Sequence, residues 1–233
     1  MTRSVYVTGT DTGIGKTLVS AALLAALNSA GVRAVGMKPV ASGCERAPAG
    51  LRNADALALI AHGAGEPDYA LVNQYAFADP IAPHIAAADA GVTIALDAIE
   101  SAYTRLLATA ASVVVEGVGG WMAPLGPALM QCDVVRCLRL PVILVVGLRL
   151  GCLNHALLSA RAIEADGCEF AGWIGSHVEP LMLRVEDNLA ALRGRLDAPC
   201  LGVLPFAPTA DPVDLAHHLV AARNRLIGTG QPA

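Results

Sequence analysis

Charge is scarce in this chain. Only 15% of its 233 residues are Asp, Glu, Lys or Arg, and their formal sum is −4. Lys and Arg are scattered, so no basic patch offers itself to a nucleic-acid backbone, and nucleic acid is not an expected partner. Aromatic residues make up only 4%. Long apolar runs are missing as well. The longest, Leu140–Leu148, is broken by Pro141 and Gly147 and falls far short of the ~18 residues a membrane helix needs. The N-terminus passes directly into a strand-like run without a basic segment and apolar signal stretch. No membrane association and a cytoplasmic location are therefore expected. The six cysteines, Cys44, Cys132, Cys137, Cys152, Cys168 and Cys200, form no CxxC and no His–Cys ligand spacing. That argues against a disulfide scaffold and structural zinc, and it suits a reducing compartment. Cys44 and Cys152 lie near motifs discussed below and read as small buried thiols.

What is abundant is apolar side chain, at 55%. A chain of this length can bury one substantial core. A single α/β domain over residues 1–233 is expected, with 228–233 as a frayed tail.

The most informative segment is Gly9-Thr10-Asp11-Thr12-Gly13-Ile14-Gly15-Lys16-Thr17. It follows the apolar, β-branched run Val5-Tyr6-Val7-Thr8 and precedes the apolar helical stretch Leu18–Leu27. Strand, glycine-rich turn and helix in that order form a nest of backbone N–H groups at a positive helix end, which holds phosphate. Lys16 can then reach the β- and γ-phosphates of a nucleotide, and the Thr17 hydroxyl can ligate Mg²⁺. The strict pattern has glycine where Thr10 stands, with Gly9 here one step earlier. Gly13 and Gly15 still permit close approach of backbone to phosphate.

Strand candidates are 4–8, 32–37, 112–116, 142–146, 170–174 and 199–203. Helical stretches are expected at 17–29, 53–62, 96–110, 129–138, 154–166, 181–193 and 212–226. Apolar strands separated by helix-length segments predict a mostly parallel sheet covered by helices on both faces. Ligands in such sheets sit beyond the carboxyl ends of the strands. The predicted strands lead into the phosphate loop, Lys38-Pro39, Glu116-Gly117, Gly147 and Ser176-His177, which should converge on one crevice. The irregular segment 63–90 is expected to cover part of it.

Several residues there invite two readings. Glu116, before Gly117-Val-Gly119-Gly120, could meet Mg²⁺ or be a solvated strand-end carboxylate. Asp55 could serve the same metal or favour a helix dipole, with Asn53 the better cap. Lys38 could be an unremarkable exposed lysine, or could neutralise charge on a transferring group at the crevice mouth. Ser42-Gly43 could add hydrogen bonds or be generic turn material. Gly151, opening a helix, could expose a carboxylate site, or Asn154 could merely cap that helix.

The residues Val7–Thr17, Lys38-Pro-Val-Ala-Ser-Gly43, Gly50–Leu59, Pro83-His84, Val115–Trp121, Pro141–Gly147 and Gly151–His155 together resemble the dethiobiotin synthase family. Ala171-Gly-Trp-Ile174 and Leu201-Gly-Val-Leu-Pro205 continue the likeness. These are ATP-dependent cyclo-ligases of the P-loop NTPase-like α/β superfamily. The resemblance implies 7,8-diaminononanoate, CO₂ and ATP as substrates, with Mg²⁺, and dethiobiotin, ADP and phosphate as products. A substrate carbamate would attack the γ-phosphate, and the resulting carbamic–phosphoric anhydride would be closed into a ring by the second amine.

Carried over by resemblance, Lys16 and Lys38 bracket the carbamate and the transferring phosphoryl group, and Thr12 and Ser42 orient the diamine and carbamate. Thr17, Asp55 and Glu116 hold Mg²⁺. Gly9, Asp11, Thr12, Gly13, Ile14, Gly15, Lys16 and Thr17 contact the nucleotide, together with Glu116, Ser176 and Pro205. Ser42 and Gly119 bind the substrate, as does the helix start Gly151-Cys152-Leu153-Asn154, the latter across a homodimer interface. His84 is expected to be structural.

Two departures stand out. Ser176 replaces an asparagine common in the family and cannot repeat the paired donor and acceptor of an amide, which bears on base selectivity. The segment 124–133 keeps only the flanks and Asp133 of the family pattern. Replacing Lys38 with alanine is expected to leave folding intact and to lower turnover. Two rivals share the phosphate loop. One is a nucleotide-switched partner-binding ATPase, which often carries a second lysine near the position of Asp11. The other is a ligase acting on another acid.

Overall fold

The fold is that of a computed structural model describing residues 2–228. The first half of the chain runs β1 (Val5–Gly9), α1 (Lys16–Ser29), β2 (Ala34–Met37), β3 (Val40–Ala41), β4 (Glu45–Ala47), β5 (Gly50–Arg52) and α2 (Ala54–His62). Then come α3 (Tyr69–Val72), β6 (Tyr75–Ala76), α4 (Pro83–Asp89), α5 (Leu96–Leu107) and β7 (Ser112–Glu116). The rest is α6 (Gln131–Leu138), β8 (Val142–Leu148), α7 (Cys152–Ala165), β9 (Phe170–His177), α8 (Val185–Arg195) and β10 (Cys200–Leu204). The described chain closes with α9 (Pro212–Leu215), a 3₁₀ turn (Ala216–Leu219) and α10 (Val220–Ile227).

Six strands form the central sheet in the order β10-β9-β8-β1-β7-β2. Every neighbouring pair in it is parallel. Successive strand residues face opposite sides, so a sheet covered on both faces needs apolar residues at consecutive positions. In β7, Val113 and Val115 join the core beneath α5 to α8, while Val114 joins the core beneath α1 and the C-terminal helices. Tyr6, Leu144 and Trp173 lie on the first side, and Val5, Val7, Ile143 and Ile174 on the second.

The expected parallel α/β architecture is present. Some element ends differ for identifiable local reasons. The helix expected from 129 begins at Gln131, because the Asp133 carboxylate accepts from the Met130 backbone N–H and closes that end. The helix expected from 181 begins at Val185, after Arg184 in a left-handed conformation. The helix expected over 212–226 is divided by the 3₁₀ turn. Asn53 does cap α2, accepting from the Ala56 N–H at 3.2 Å. By contrast, α7 begins after Gly151 at φ 96°, so Asn154 lies inside the helix and is not its cap. The irregular segment 63–90 contains α3, β6 and α4. Of the tail expected to fray, residues 229–233 lie outside the described residues.

Candidate active site

Because the sheet is parallel, the carboxyl ends of β1, β2 and β7 share one edge, and a cleft of about 620 Å³ opens there. Its lining includes Thr12, Gly13, Gly15, Lys16 and Thr17 from the phosphate loop and Lys38 and Ser42 from the β2–β3 region. Asn53 and Asp55 from the start of α2, and Glu116 and Gly119 from the end of β7 and its glycine loop, complete the polar wall. Pro80, Ile81, Ala82 and Pro83 supply the apolar wall, so segment 63–90 does flank the site as expected.

The phosphate loop is held open by glycine geometry at Gly13 (φ 72°) and Gly15 (φ 87°). A side chain at Gly15 would also meet Ser176 Oγ at 2.5 Å. Inside the loop, Lys16 Nζ donates to the Asp11 carbonyl at 2.7 Å. Burial, and then the nearby Lys38 charge, push the Lys16 pKa down to about 8. The Asp11 carboxylate accepts from the Thr12 N–H at 2.7 Å and pairs with Arg149 at 2.6 Å. Those contacts, with the Thr12 N–H the strongest, hold its pKa below the ordinary aspartate value. Arg149 follows β8 directly, so this pair ties the phosphate loop to the neighbouring strand.

In the cleft wall is an ion triad whose Lys38 and Glu116 are buried and whose Asp55 is partly exposed. Lys38 Nζ lies 2.6 Å from Glu116 Oε1 and 2.8 Å from Asp55 Oδ2, and it also donates to the Gly117 carbonyl at 3.1 Å. The reading of Lys38 as exposed is therefore corrected: it is 3% exposed, and Glu116 is 0% exposed. Burial disfavours the Lys38 charge, yet Glu116 and then Asp55 outweigh it and raise its pKa. Asp55 is shifted down, because Lys38 overcomes the cost of its burial. Glu116 is likewise no solvated strand end. Thr17 Oγ1 donates to Glu116 Oε1 at 2.9 Å.

The Mg²⁺ implied by the resemblance can be tested against these donors. Among the described residues no group of three or more His, Cys, Asp and Glu could hold a metal by itself. Glu116 Oε2, however, is buried without a hydrogen-bond partner. With Asp55 and the Thr17 hydroxyl it makes a hard oxygen donor set that phosphate oxygens would complete, and that suits Mg²⁺.

Other predicted residues lie elsewhere. Gly9 ends β1 beneath the loop, where a side chain would strike Ile14 and Lys16. Ile14 is 2% exposed and packs beside Gly147, so its side chain is a core plug. Ser176 is buried against Gly15, and Pro205 is exposed just after β10. Gly151, Cys152, Leu153 and Asn154 do not line this cleft. Cys152 is buried and Asn154 exposed. Cys44 is buried too, and burial pushes its thiol pKa up.

Sequence reasoning also missed several supports. Buried Asn73 donates to the Lys38 carbonyl at 2.6 Å, and Tyr69 links Asn73 to the Asn53 backbone. Arg149, which pairs with Asp11, is another. Gln131 lay in the segment that departs from the family pattern. No local signal marks any of these four, since each has a partner distant in sequence.

A parallel α/β sheet with a phosphate loop and a carboxylate-and-lysine cleft defines a nucleotide-binding P-loop protein. In agreement, residues 3–213 match the family model described as an AAA domain. An Aquifex aeolicus MinC:MinD cell division protein complex contains a chain of the same fold, with a TM-score of 0.61 at 15% identity, covering 99% of this chain and 98% of that one. At that identity the likeness concerns the fold alone.

Among curated proteins, the ATP-dependent dethiobiotin synthetase BioD of Xanthomonas euvesicatoria pv. vesicatoria is 59% identical over 218 residues, covering 94% of this chain and 97% of the relative. That of Xylella fastidiosa is 56% identical over 215 residues, covering 92% and 95%. The chain belongs to the ATP-dependent dethiobiotin synthetase family.

Proposed function

We propose that this chain is the ATP-dependent cyclo-ligase that joins 7,8-diaminononanoate and CO₂ into dethiobiotin, releasing ADP and phosphate. The observation that carries the reading is the meeting of Lys16, Thr17, Lys38, Asp55 and Glu116 in one cleft of a chain from that family.

The phosphate loop, Gly9 to Thr17, wraps the nucleotide phosphates with backbone N–H groups, and Lys16 carries positive charge toward the β- and γ-phosphates. Lys38, anchored by Asn73 through its backbone, faces the same space from the other side. The two ammonium groups thus flank the path of the phosphoryl group from ATP to the substrate carbamate, where negative charge is in transit. Thr12 and Ser42 orient the diamine and carbamate within the cleft. Gly119 lets the substrate approach the loop after β7. Holding both amines around one carbon makes ring closure intramolecular, which accounts for much of the task. Mg²⁺, when bound by Thr17, Asp55 and Glu116, supplies charge stabilisation and phosphate alignment. Ser176 and Pro205, at the ends of β9 and β10, are assigned to the base.

The helix start Gly151–Asn154 is assigned to the tail carboxylate of the substrate in a neighbouring subunit of a homodimer. It supports this that α7 opens on exposed Gly151 outside the cleft of its own chain. The whole chemistry fits one α/β domain. No helix among the described residues is long and apolar enough to cross a membrane, and the cysteines are free thiols. We assign the protein to the cytoplasm on that chemistry.

The deciding experiment is phosphate release from Mg·ATP and bicarbonate, with and without the diamine, while the mass of the organic product is recorded. Diamine-dependent phosphate with a product of dethiobiotin mass is expected. ATP binding without diamine-dependent turnover would refute the assignment.

A further inference from the structure

We propose that Gln131 is a positioning residue for the diamine: its side-chain amide clamps the glycine loop Gly117–Gly120 in the shape that receives substrate. This rests on the function proposed above, since that loop is read as the diamine wall.

Gln131 is the first residue of α6 and is 0% exposed. Its Oε1 accepts from the Val118 N–H at 3.0 Å and from the Tyr6 hydroxyl at 2.8 Å. Its Nε2 donates to the Gly120 carbonyl at 2.5 Å. A backbone N–H can only donate and a carbonyl can only accept, so the amide orientation is dictated by the loop. One planar group therefore bridges both ends of the turn between Val118 and Gly120. Tyr6, from β1, fixes that group from behind. The fit leaves no slack, because a side chain at Gly117 would overlap Gln131 Oε1 and stand 2.7 Å from the Tyr6 hydroxyl.

The loop so held is wall rather than floor. Val118, Gly119 and Gly120 line the cleft, and the Gly117 carbonyl accepts from Lys38. None of these residues belongs to the phosphate loop. A loosened clamp should therefore act on the diamine and spare ATP. Losing the two part-buried hydrogen bonds to the Val118 N–H and the Gly120 carbonyl is expected to weaken the clamped shape by roughly tenfold. The carboxylate of a Gln131→Glu variant would still accept from Val118 and Tyr6 but would oppose the Gly120 carbonyl. The thioether of Gln131→Met would lose all three hydrogen bonds at similar volume.

The test uses the full-length protein and the variants Gln131→Met, Gln131→Glu and Tyr6→Phe. Two readouts are taken: the KM for 7,8-diaminononanoate against the Kd for ATP, and amide hydrogen exchange at residues 118–120 without substrates. In Gln131→Met, the diamine KM should rise about tenfold with the ATP Kd unchanged, and amide exchange at Val118 should accelerate by at least about tenfold. Tyr6→Phe should show a smaller change in the same direction. Unchanged exchange at Val118 in Gln131→Met would overturn the clamp whatever reaction the protein catalyses. Accelerated exchange with an unchanged diamine KM, or an equal loss in ATP affinity, would overturn the positioning role. Failure of wild-type protein to turn over the diamine would instead strike the function itself. If Gln131→Met does not fold, Gln131→Glu and Tyr6→Phe carry the comparison of diamine KM against ATP Kd, with exchange read across residues 118–120.

Discussion

Replacing Lys38 with methionine, a side chain of similar length, removes the cation from the ion triad it forms with buried Glu116 and partly exposed Asp55. Glu116 would keep only the Thr17 hydroxyl at 2.9 Å, with its Oε2 unpartnered in a fully buried position. Asp55, with a side chain 39% exposed, could turn toward water, so most of the cost falls on Glu116. Removing one partner of a buried pair while the other stays charged costs about 3–5 kcal/mol. For a chain of this size that corresponds to a fall in Tm of roughly 6–20 °C. The measurement is urea and thermal unfolding in chelator, without nucleotide, for wild type, Lys38→Met, and the double variant Lys38→Met with Glu116→Gln. The double variant removes the stranded charge at constant shape and should recover most of the loss. A Lys38→Met protein within about 1 kcal/mol of wild type would refute the account, as would a double variant no more stable than the single one. Lys38→Ala was expected to leave folding intact and lower turnover, whereas the burial of Lys38 against Glu116 argues for a stability cost, which this unfolding comparison tests.

Lys16 should make nucleotide binding proton-coupled. With its pKa pushed to about 8 by burial, much of it is neutral in the free protein near that pH. The phosphates would restore its charge, so ATP binding at pH 8 should take up on the order of half a proton. Titration calorimetry in buffers of different ionisation enthalpy reads this directly, and buffer-independent heats would contradict it. The same shift has a sign for stability. Between about 8 and the ordinary lysine value of 10.5, the unfolded chain holds more protons at this group than the folded one. The penalty is therefore present in full below that window and is relieved as pH rises through it. A third expectation concerns Gly36 in β2, where a methyl would stand 2.5 Å from Leu59 Cβ and 3.3 Å from Leu59 Cα. Gly36→Ala must push α2 outward, with Asp55 at its start, at a cost of roughly 1–3 kcal/mol. Urea unfolding should show that loss, and stability within about 0.5 kcal/mol of wild type would argue against it.

The sequence by itself determined the parts of this protein whose physics is local. Strand-length apolar runs between helix-length segments require a covered parallel sheet, because both faces of β7 and β8 must be buried. Gly13, Gly15, Lys16 and Thr17 are adjacent in the chain, so the phosphate loop announces itself. Tertiary structure alone decided how charges are paired. Lys38, Asp55 and Glu116 are far apart in sequence, and only the parallel order of β2, β7 and β1 with α2 beside them brings an ammonium between two carboxylates. Burial then turned two plausible surface residues, Lys38 and Glu116, into an internal pair. The clamp of Gln131 on Gly117–Gly120 and the tie of Arg149 to Asp11 were invisible for the same reason. A polar side chain in sequence carries no mark of its partner, and a hydrogen bond reads only distance and direction in space.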